Sequence, residues 1–324
     1  MICSKDRFHS LRRLIDHLRI LRNNTFNIEI IVVEEIDMPS PIDGTVYCHL
    51  PTNNLGFGHA RKRAVKEAHG TLLVFIDDDC VPLEGWLNYL LSPFESDDIS
   101  AVGGGVLPKT SGAIGRAIAL LGFPAGGIPR LLKSKGHVQE SRLLSTGNLA
   151  LKRDAVEEAG GFLTSHRYGG EDQELVRMLR GRTLFSPHAL VYHEQRESIK
   201  DVWDWFVRRG KGEYVINRHK KMGRFHALFH PWRWSWSWRI LFLIAFGVLF
   251  GPIPLIGLII LYSLYLSLRT FFANRHPSFV PEVEMCRRQS LTISSFFWIP
   301  IIRLTMDFGR EWGRIQSLFQ DLFK

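Results

Sequence analysis

An α/β fold is expected for this chain of 324 residues: a mostly parallel sheet flanked by helices, followed by a helical, membrane-associated region. Three features carry that expectation. β-Branched apolar runs alternate with stretches of helical period, the pattern of strands joined by helical crossovers. One such run, Val74, Phe75 and Ile76, meets three carboxylates, Asp77, Asp78 and Asp79, and then Cys80, Val81 and Pro82. A buried strand whose C-terminal end opens onto a polar loop is where open α/β sheets bind ligands. The third feature is a run of 29 uncharged residues, 240–268, entered through a basic segment.

In chain order, Met1, Ile2 and Cys3 form a very short first strand, and Leu11, Leu14, Ile15, Leu18 and Leu21 then recur at helical spacing. Ile28 to Val33 is a β-branched run long enough for a central strand, ending in Glu34, Glu35, Ile36 and Asp37. After a polar connection, Leu55, Gly56, Phe57 and Gly58 lead into a helix over 60–68, which Gly70 stops before the strand at 71–76. Asp77, Asp78 and Asp79 repel one another, so a cation is expected among them, and oxygen ligands at this density suit Mg²⁺ or Mn²⁺. The plain alternative is a solvated turn.

Gly103, Gly104 and Gly105 follow a short strand at 99–102, and a flexible Gly, Ala and Pro region runs to about 136. The triplet lacks the Lys and Ser/Thr of a P-loop and the spacing of a dinucleotide fingerprint, so it reads as a turn. Ser145, Thr146, Gly147 and Asn148 precede an apolar stretch and a short helix over 154–159, which Gly160 and Gly161 cap. Glu171, Asp172 and Glu174 fall in the first turn of a helix that ends near Arg180, where acids commonly serve the cap and the dipole. A strand over 184–192, interrupted by Pro187, delivers His193. A lone histidine there is usually structural, and its meaning depends on its neighbours.

Together these residues resemble the family 2 glycosyltransferases, nucleotide-sugar-dependent enzymes of the GT-A fold. The resemblance covers about residues 1–210 and runs through Glu29 to Glu35, Asn54-Leu55-Gly56 with Ala60-Arg61, and Phe75-Ile76-Asp77-Asp78-Asp79. It continues through Gly147-Asn148, Gly160-Gly161-Phe162, Gly170 to Leu175 and Val191-Tyr192-His193. It implies Asp79 as a metal ligand, Asp77 as a ribose or metal-shell contact, Asp78 as a further residue binding the nucleotide sugar and its metal, and His193 as completing the coordination of Mn²⁺ or Mg²⁺. Asp172 matches the general base that deprotonates the acceptor hydroxyl, and a single displacement with one base implies inversion at the anomeric carbon. The metal would stabilise the charge growing on the departing diphosphate. Arg61 is expected at the phosphates or ribose, and Glu35 stands where the family has an aspartate on the nucleotide base. Glu34-Glu35-Ile36-Asp37 replaces the family's Asp-Asp-Gly-Ser, which leaves the base open, and the first strand is shorter than the family's.

At the C-terminal end, one straight helix over 240–268 would be about 44 Å long against a hydrocarbon core of about 30 Å. Gly251, Pro252 and Pro254 would bend or break it, giving either a kinked span or a re-entrant hairpin. Trp232, Trp234, Trp236 and Trp238 read as an aromatic belt. A second apolar piece follows at 291–302. Leu304, Phe308, Trp312, Ile315, Phe319 and Leu322 then form one helical stripe, lying in the interface or packing on the catalytic domain.

The formal charge of +9 is concentrated: residues 207–239 hold nine Lys/Arg and one acid, Glu213. A basic block ahead of an apolar run is a membrane-surface patch, and no nucleic-acid partner is expected. Cys3, Cys48, Cys80 and Cys286 show neither metal nor disulfide spacing. Lys5, Asp6, Arg7, Arg12 and Arg13 interrupt any apolar signal core, so the catalytic domain is expected to face the cytoplasm at a cell membrane. The expected division is a catalytic domain over 1–207, a basic juxtamembrane segment over 208–238, and membrane-embedded and interfacial helices over 239–324. The function expected is an inverting transfer from a nucleotide sugar to a lipid-linked or glycan acceptor. The alternative is a non-catalytic sugar-nucleotide-binding or scaffold subunit.

Overall fold

The structure, a computed structural model, describes residues 1–21, 26–53, 55–110, 112–165, 167–230 and 236–323. Trp232, Arg233 and Trp234 of the expected belt and basic block, and Asn54 of the Asn-Leu-Gly motif, lie outside the described residues. The chain divides into one unit of residues 1–109, 122–194 and 278–284 and another of residues 110–121, 195–277 and 285–324.

In the first unit, β1 (Ile2–Lys5), β2 (Ile31–Glu35) and β3 (Val46–Leu50) form a parallel sheet with α1 (Phe8–Leu21) and α2 (Phe57–Glu67). The β1–β2 register pairs Lys5 with Glu35, and Lys5 Nζ lies 2.9 Å from Glu35 Oε1. β4 (Leu72–Ile76) flanks β1, since Met1 N donates to Val74 O at 2.7 Å and Ile76 N to Met1 O at 3.2 Å. The short first strand therefore lies between β2 and β4, and its end reaches the acids that follow β4. Leu11, Leu14 and Ile15, three of the residues at helical spacing, are fully buried under α1.

The second sheet of this unit is mixed. It contains β5 (Cys80–Pro82), β6 (Ile99–Lys109), β7 (Gln139–Glu140), β8 (Asn148–Lys152) and β9 (Arg182–Glu194) besides β4, in the order β4-β8-β6-β9-β5 with β7 on β9. Only β6 and β9 pair in parallel among these strands. The unit also holds α3 (Trp86–Leu91), α5 (Gly127–Ser134), α6 (Arg153–Glu158) and α7 (Glu171–Met178). The irregularity expected at Pro187 is a register shift: Gly104 pairs with Ser186 but Gly105 with Leu190.

Two expectations are corrected here. The segment up to 136 is not a flexible linker, because α5 lies in it, and the glycine triplet is not a turn. Gly103, Gly104 and Gly105 sit inside the eleven-residue strand β6. They are glycines because neighbours crowd the strand: a Cβ at 103 would lie 2.7 Å from Leu144 Cδ2, and one at 105 would lie 2.6 Å from Leu131 Cδ2. At 104 it would collide with the Ala189 carbonyl oxygen and the Asn148 amide. That amide ties the sheet together, since Nδ2 donates to Gly105 O and Ala189 O while Oδ1 accepts from Trp86 Nε1. Gly104→Ala is accordingly expected to cost at least about 1–3 kcal/mol, the usual toll of overpacking against a backbone atom. A chemical denaturation midpoint equal to the parent's would contradict this.

The second unit is helical: α4 (Ala113–Leu120), α8 (Ile199–His219), α9 (Arg224–Phe229), α10 (Trp236–Phe250), α11 (Pro252–Ala273), most of α12 (Pro281–Ser290) and α13 (Ile293–Leu322). Ser198 caps α8 by accepting from Asp201 N. The uncharged run breaks at Gly251, where Pro252 opens α11, as the Gly-Pro pair predicts. A Cβ at Gly247 would lie 2.9 Å from Leu255 Cδ2, so the end of α10 packs closely on the start of α11. α11 has 22 residues, about 33 Å, and is long and apolar enough to cross a membrane. Two charges of the basic block are internally matched, with Arg218 at 2.8 Å and Arg224 at 3.5 Å from Asp321.

The two apolar pieces expected after residue 290 are one continuous 30-residue helix with Pro300 inside it. The face of α13 that packs carries Met306, Asp307, Gly309, Glu311, Gly313 and Arg314, while Trp312, Phe319 and Leu322 of the apolar stripe are exposed. Arg314 is buried because its guanidinium is ion-paired with Glu213 of α8 and lies 3.7 Å from Glu311. A buried charge so paired is tolerable, and it fixes which face turns inward.

Candidate active site

β4 delivers Asp77, Asp78 and Asp79 into a tight turn, closed by Cys80 N donating to Asp77 O, which leads into β5. β5 pairs antiparallel with β9, setting Cys80 opposite His193, and Glu194 N donates to Asp79 O. The register thus brings His193 Nε2 to 3.3 Å from Asp79 Oδ1. Asp77, Asp79 and His193 each offer one ligand atom, and these atoms lie within 4.8 Å of one another. Two carboxylates and an imidazole suit Mn²⁺ and, less specifically, Mg²⁺. The surroundings fit a cation too. A Cβ at Gly147 would lie 2.8 Å from Asp77 Oδ2 and fill the space beside it, and His193 Nδ1 is buried with no hydrogen-bond partner.

Asp78 is adjacent in sequence but stands outside this trio. Ser4 Oγ donates to its Oδ2 at 2.7 Å, and Arg7 Nη1 lies 3.2 Å from its Oδ1. The same Arg7 nitrogen is 2.7 Å from Asp79 Oδ2. Burial, and next the charge of Asp79, push the Asp78 carboxyl up to about 6 against the pull of Ser4 and Arg7. Asp77 is also raised, chiefly by burial, with Arg61 opposing and the charges of Asp79 and Asp172 adding to it. That last contribution places the Asp172 carboxylate within electrostatic reach of the trio.

Arg61, expected near the phosphates or ribose, is buried in α2. One of its nitrogens is ion-paired with Glu171, the first residue of α7, and Nη2 lies 3.7 Å from Asp77 Oδ1. It thus ties the end of β4 to the start of α7. Asp172 follows, half-buried, with Oδ1 accepting from Gln173 N at 2.8 Å and Oδ2 lying 3.4 Å from Thr146 N. Position Ncap of α7 belongs to Gly170, which has no side chain to cap with. Glu35 ends β2 in its pair with Lys5. Sequence reasoning missed Ser4, Lys5, Arg7 and Glu171 as partners of these acids. For the first three the signal present was the polar run Ser4-Lys5-Asp6-Arg7 at the C-terminal end of β1, which is where a parallel sheet displays its ligand-facing residues.

The chain is similar in sequence and fold to known glycosyltransferases. Residues 1–119 match the model of glycosyl transferase family 2. Over 230 residues the chain is 25% identical to the glucosyl-dolichyl phosphate glucuronosyltransferase of Haloferax volcanii, covering 64% of this chain and 71% of that protein. It is 27% identical over 162 residues to the glycosyltransferase AglE of the same organism, spanning 48% of this chain and half of that one. Among solved structures, the mannosyltransferase PcManGT from Pyrobaculum calidifontis, in complex with GDP-Man and Mn²⁺, superposes with a TM-score of 0.58 at 14% identity. That alignment covers 98% of this chain and 86% of the other, a likeness of fold. The chain thus has a GT-A-like fold with an acidic trio after β4, and its first 119 residues resemble glycosyl transferase family 2.

Proposed function

We propose that this protein is a membrane-associated, metal-dependent, inverting glycosyltransferase that moves a sugar from a nucleoside-diphosphate sugar to a lipid-linked acceptor. The observation that carries the reading is the convergence of Asp77, Asp79 and His193 within 4.8 Å, with the charge of the half-buried Asp172 acting on Asp77. Asp77, Asp79 and His193 would hold Mn²⁺ or Mg²⁺, which supplies Lewis-acid stabilisation of the charge developing on the diphosphate. Asp172 accepts the proton of the acceptor hydroxyl as that oxygen attacks the anomeric carbon. The nucleoside diphosphate leaves from the opposite face, and the carbon inverts. Arg61 and Glu171 hold the end of β4 and the first turn of α7 in one ion-paired frame, so acid cluster and base keep their separation.

Two observations support the lipid side of the proposal. The name of one relative is that of a glucuronosyltransferase for glucosyl-dolichyl phosphate. α11 is long and apolar enough to span, and α13 turns Trp312, Phe319 and Leu322 outward. The test is a transfer assay on the full chain in detergent, with a panel of UDP- and GDP-sugars, polyprenyl phosphates and Mn²⁺. Transfer from one donor that EDTA abolishes is expected. No transfer and no donor hydrolysis across the panel would favour a non-catalytic sugar-nucleotide-binding subunit.

A further inference from the structure

The acidic cluster carries a cation of its own. Arg7 sets one nitrogen 3.2 Å from Asp78 Oδ1 and 2.7 Å from Asp79 Oδ2, while the other oxygen of Asp79 faces His193 at 3.3 Å. Asp79 is therefore offered to two cations, the guanidinium on one side and the proposed metal on the other. The backbone places Arg7 deliberately. Asp6, just before it, adopts φ +52°, a left-handed turn that aspartate tolerates better than most residues, and Arg7 O accepts from Leu11 N in the first turn of α1. The side chain itself is about half exposed while the two carboxylates are mostly covered, so it enters the cluster from solvent.

We infer that Arg7 is a displaceable counter-ion: it neutralises Asp78 and Asp79 until a divalent cation takes Asp79, and the released guanidinium then pairs with the diphosphate of the donor. This rests on reading Asp77, Asp79 and His193 as the metal site. A divalent ion on Asp79 would sit within a few Å of the guanidinium, and like charges at that separation repel unless something anionic intervenes. The diphosphate is that anion. The planar fork of arginine matches phosphate oxygens, and a flexible side chain anchored at a helix start can swing from carboxylate to phosphate without moving the backbone. The exchange makes metal binding weak without nucleotide and couples the two ligands.

The consequence is a pair of effects of opposite sign, which neither an ordinary phosphate-binding arginine nor a structural one produces. In calorimetric titrations of the full chain in detergent, Arg7→Gln is expected to bind Mn²⁺ alone about 5–10-fold more tightly than the parent, because its competitor is gone. With Mn²⁺ saturating, the same variant should bind UDP or GDP, whichever the parent prefers, about tenfold more weakly. Arg7→Lys should fall between parent and Arg7→Gln in both titrations. Any other pattern overturns the proposal: metal affinity unchanged with weaker nucleotide marks a plain phosphate contact, and both weaker marks a structural role. Asp79→Ala separates this failure from that of the metal site. If Mn²⁺ binding of the parent survives Asp79→Ala, the metal reading fails and Arg7 with it; if that binding is lost but Arg7→Gln shifts nothing, only the Arg7 assignment fails.

Discussion

Asp172→Asn is expected to fold, to bind nucleotide sugar as the parent does, and to transfer sugar about 10²–10⁴-fold more slowly, the usual share of a general base. The substitution separates the two roles open to an acid in a first helical turn. As a structural group, Asp172 accepts from Gln173 N at 2.8 Å, and the carbonyl oxygen of asparagine can do the same. Its second oxygen is 3.4 Å from Thr146 N and 3.5 Å from Thr146 Oγ1, contacts too long to lose much. Asparagine also serves helix starts about as well as aspartate, so stability should change by less than about 1 kcal/mol. An amide cannot accept the acceptor's proton. Single-turnover transfer, donor affinity and a melting curve on the same preparation decide the matter: near-normal transfer would remove Asp172 from the base role.

The part of the site carried by contiguous residues was legible in the sequence. Asp77, Asp78 and Asp79 announce themselves because an apolar strand and a carboxylate cluster are local patterns, and the α1 spacing of Leu11, Leu14 and Ile15 is local too. His193 could be assigned only through family resemblance, since its approach to Asp79 depends on the β5–β9 register. The partners of Arg7 and Glu171 were not legible: each looks like a polar residue at a helix start, and only tertiary placement sets Arg7 on Asp79 and Glu171 on Arg61. The glycine triplet misled because the residue that permits a turn also permits a crowded strand, and nothing local tells the Gly104 backbone that Ala189 will press on it. α13 is the most instructive case. An apolar stripe suits either a membrane interface or a packing face, and here the buried residues mix Ile299, Ile302 and Leu318 with Glu311 and Arg314 while Trp312, Phe319 and Leu322 are exposed.

Asp79→Ala is expected to abolish the metal dependence of nucleotide binding and to lower transfer by about 10³-fold or more, since a divalent ion at a diphosphate supplies several kcal/mol of transition-state stabilisation. The fold should survive. Burial and the charge of Asp79 together hold Asp78 up near 6, so deleting Asp79 relieves repulsion in the cluster, and Asp78 keeps Ser4 at 2.7 Å and Arg7 at 3.2 Å. The informative comparison is with Asp78→Asn, one residue away. Asp78 lies outside the trio that offers ligand atoms, so its neutralisation should leave the Mn²⁺ dependence in place, and any loss of affinity should be uniform with and without metal. A generic loss of negative charge would make the two variants alike. The measurement is UDP or GDP affinity across a Mn²⁺ titration for parent, Asp79→Ala and Asp78→Asn: retained metal dependence in Asp79→Ala, or its disappearance in Asp78→Asn alone, would move the metal off the Asp77, Asp79 and His193 set.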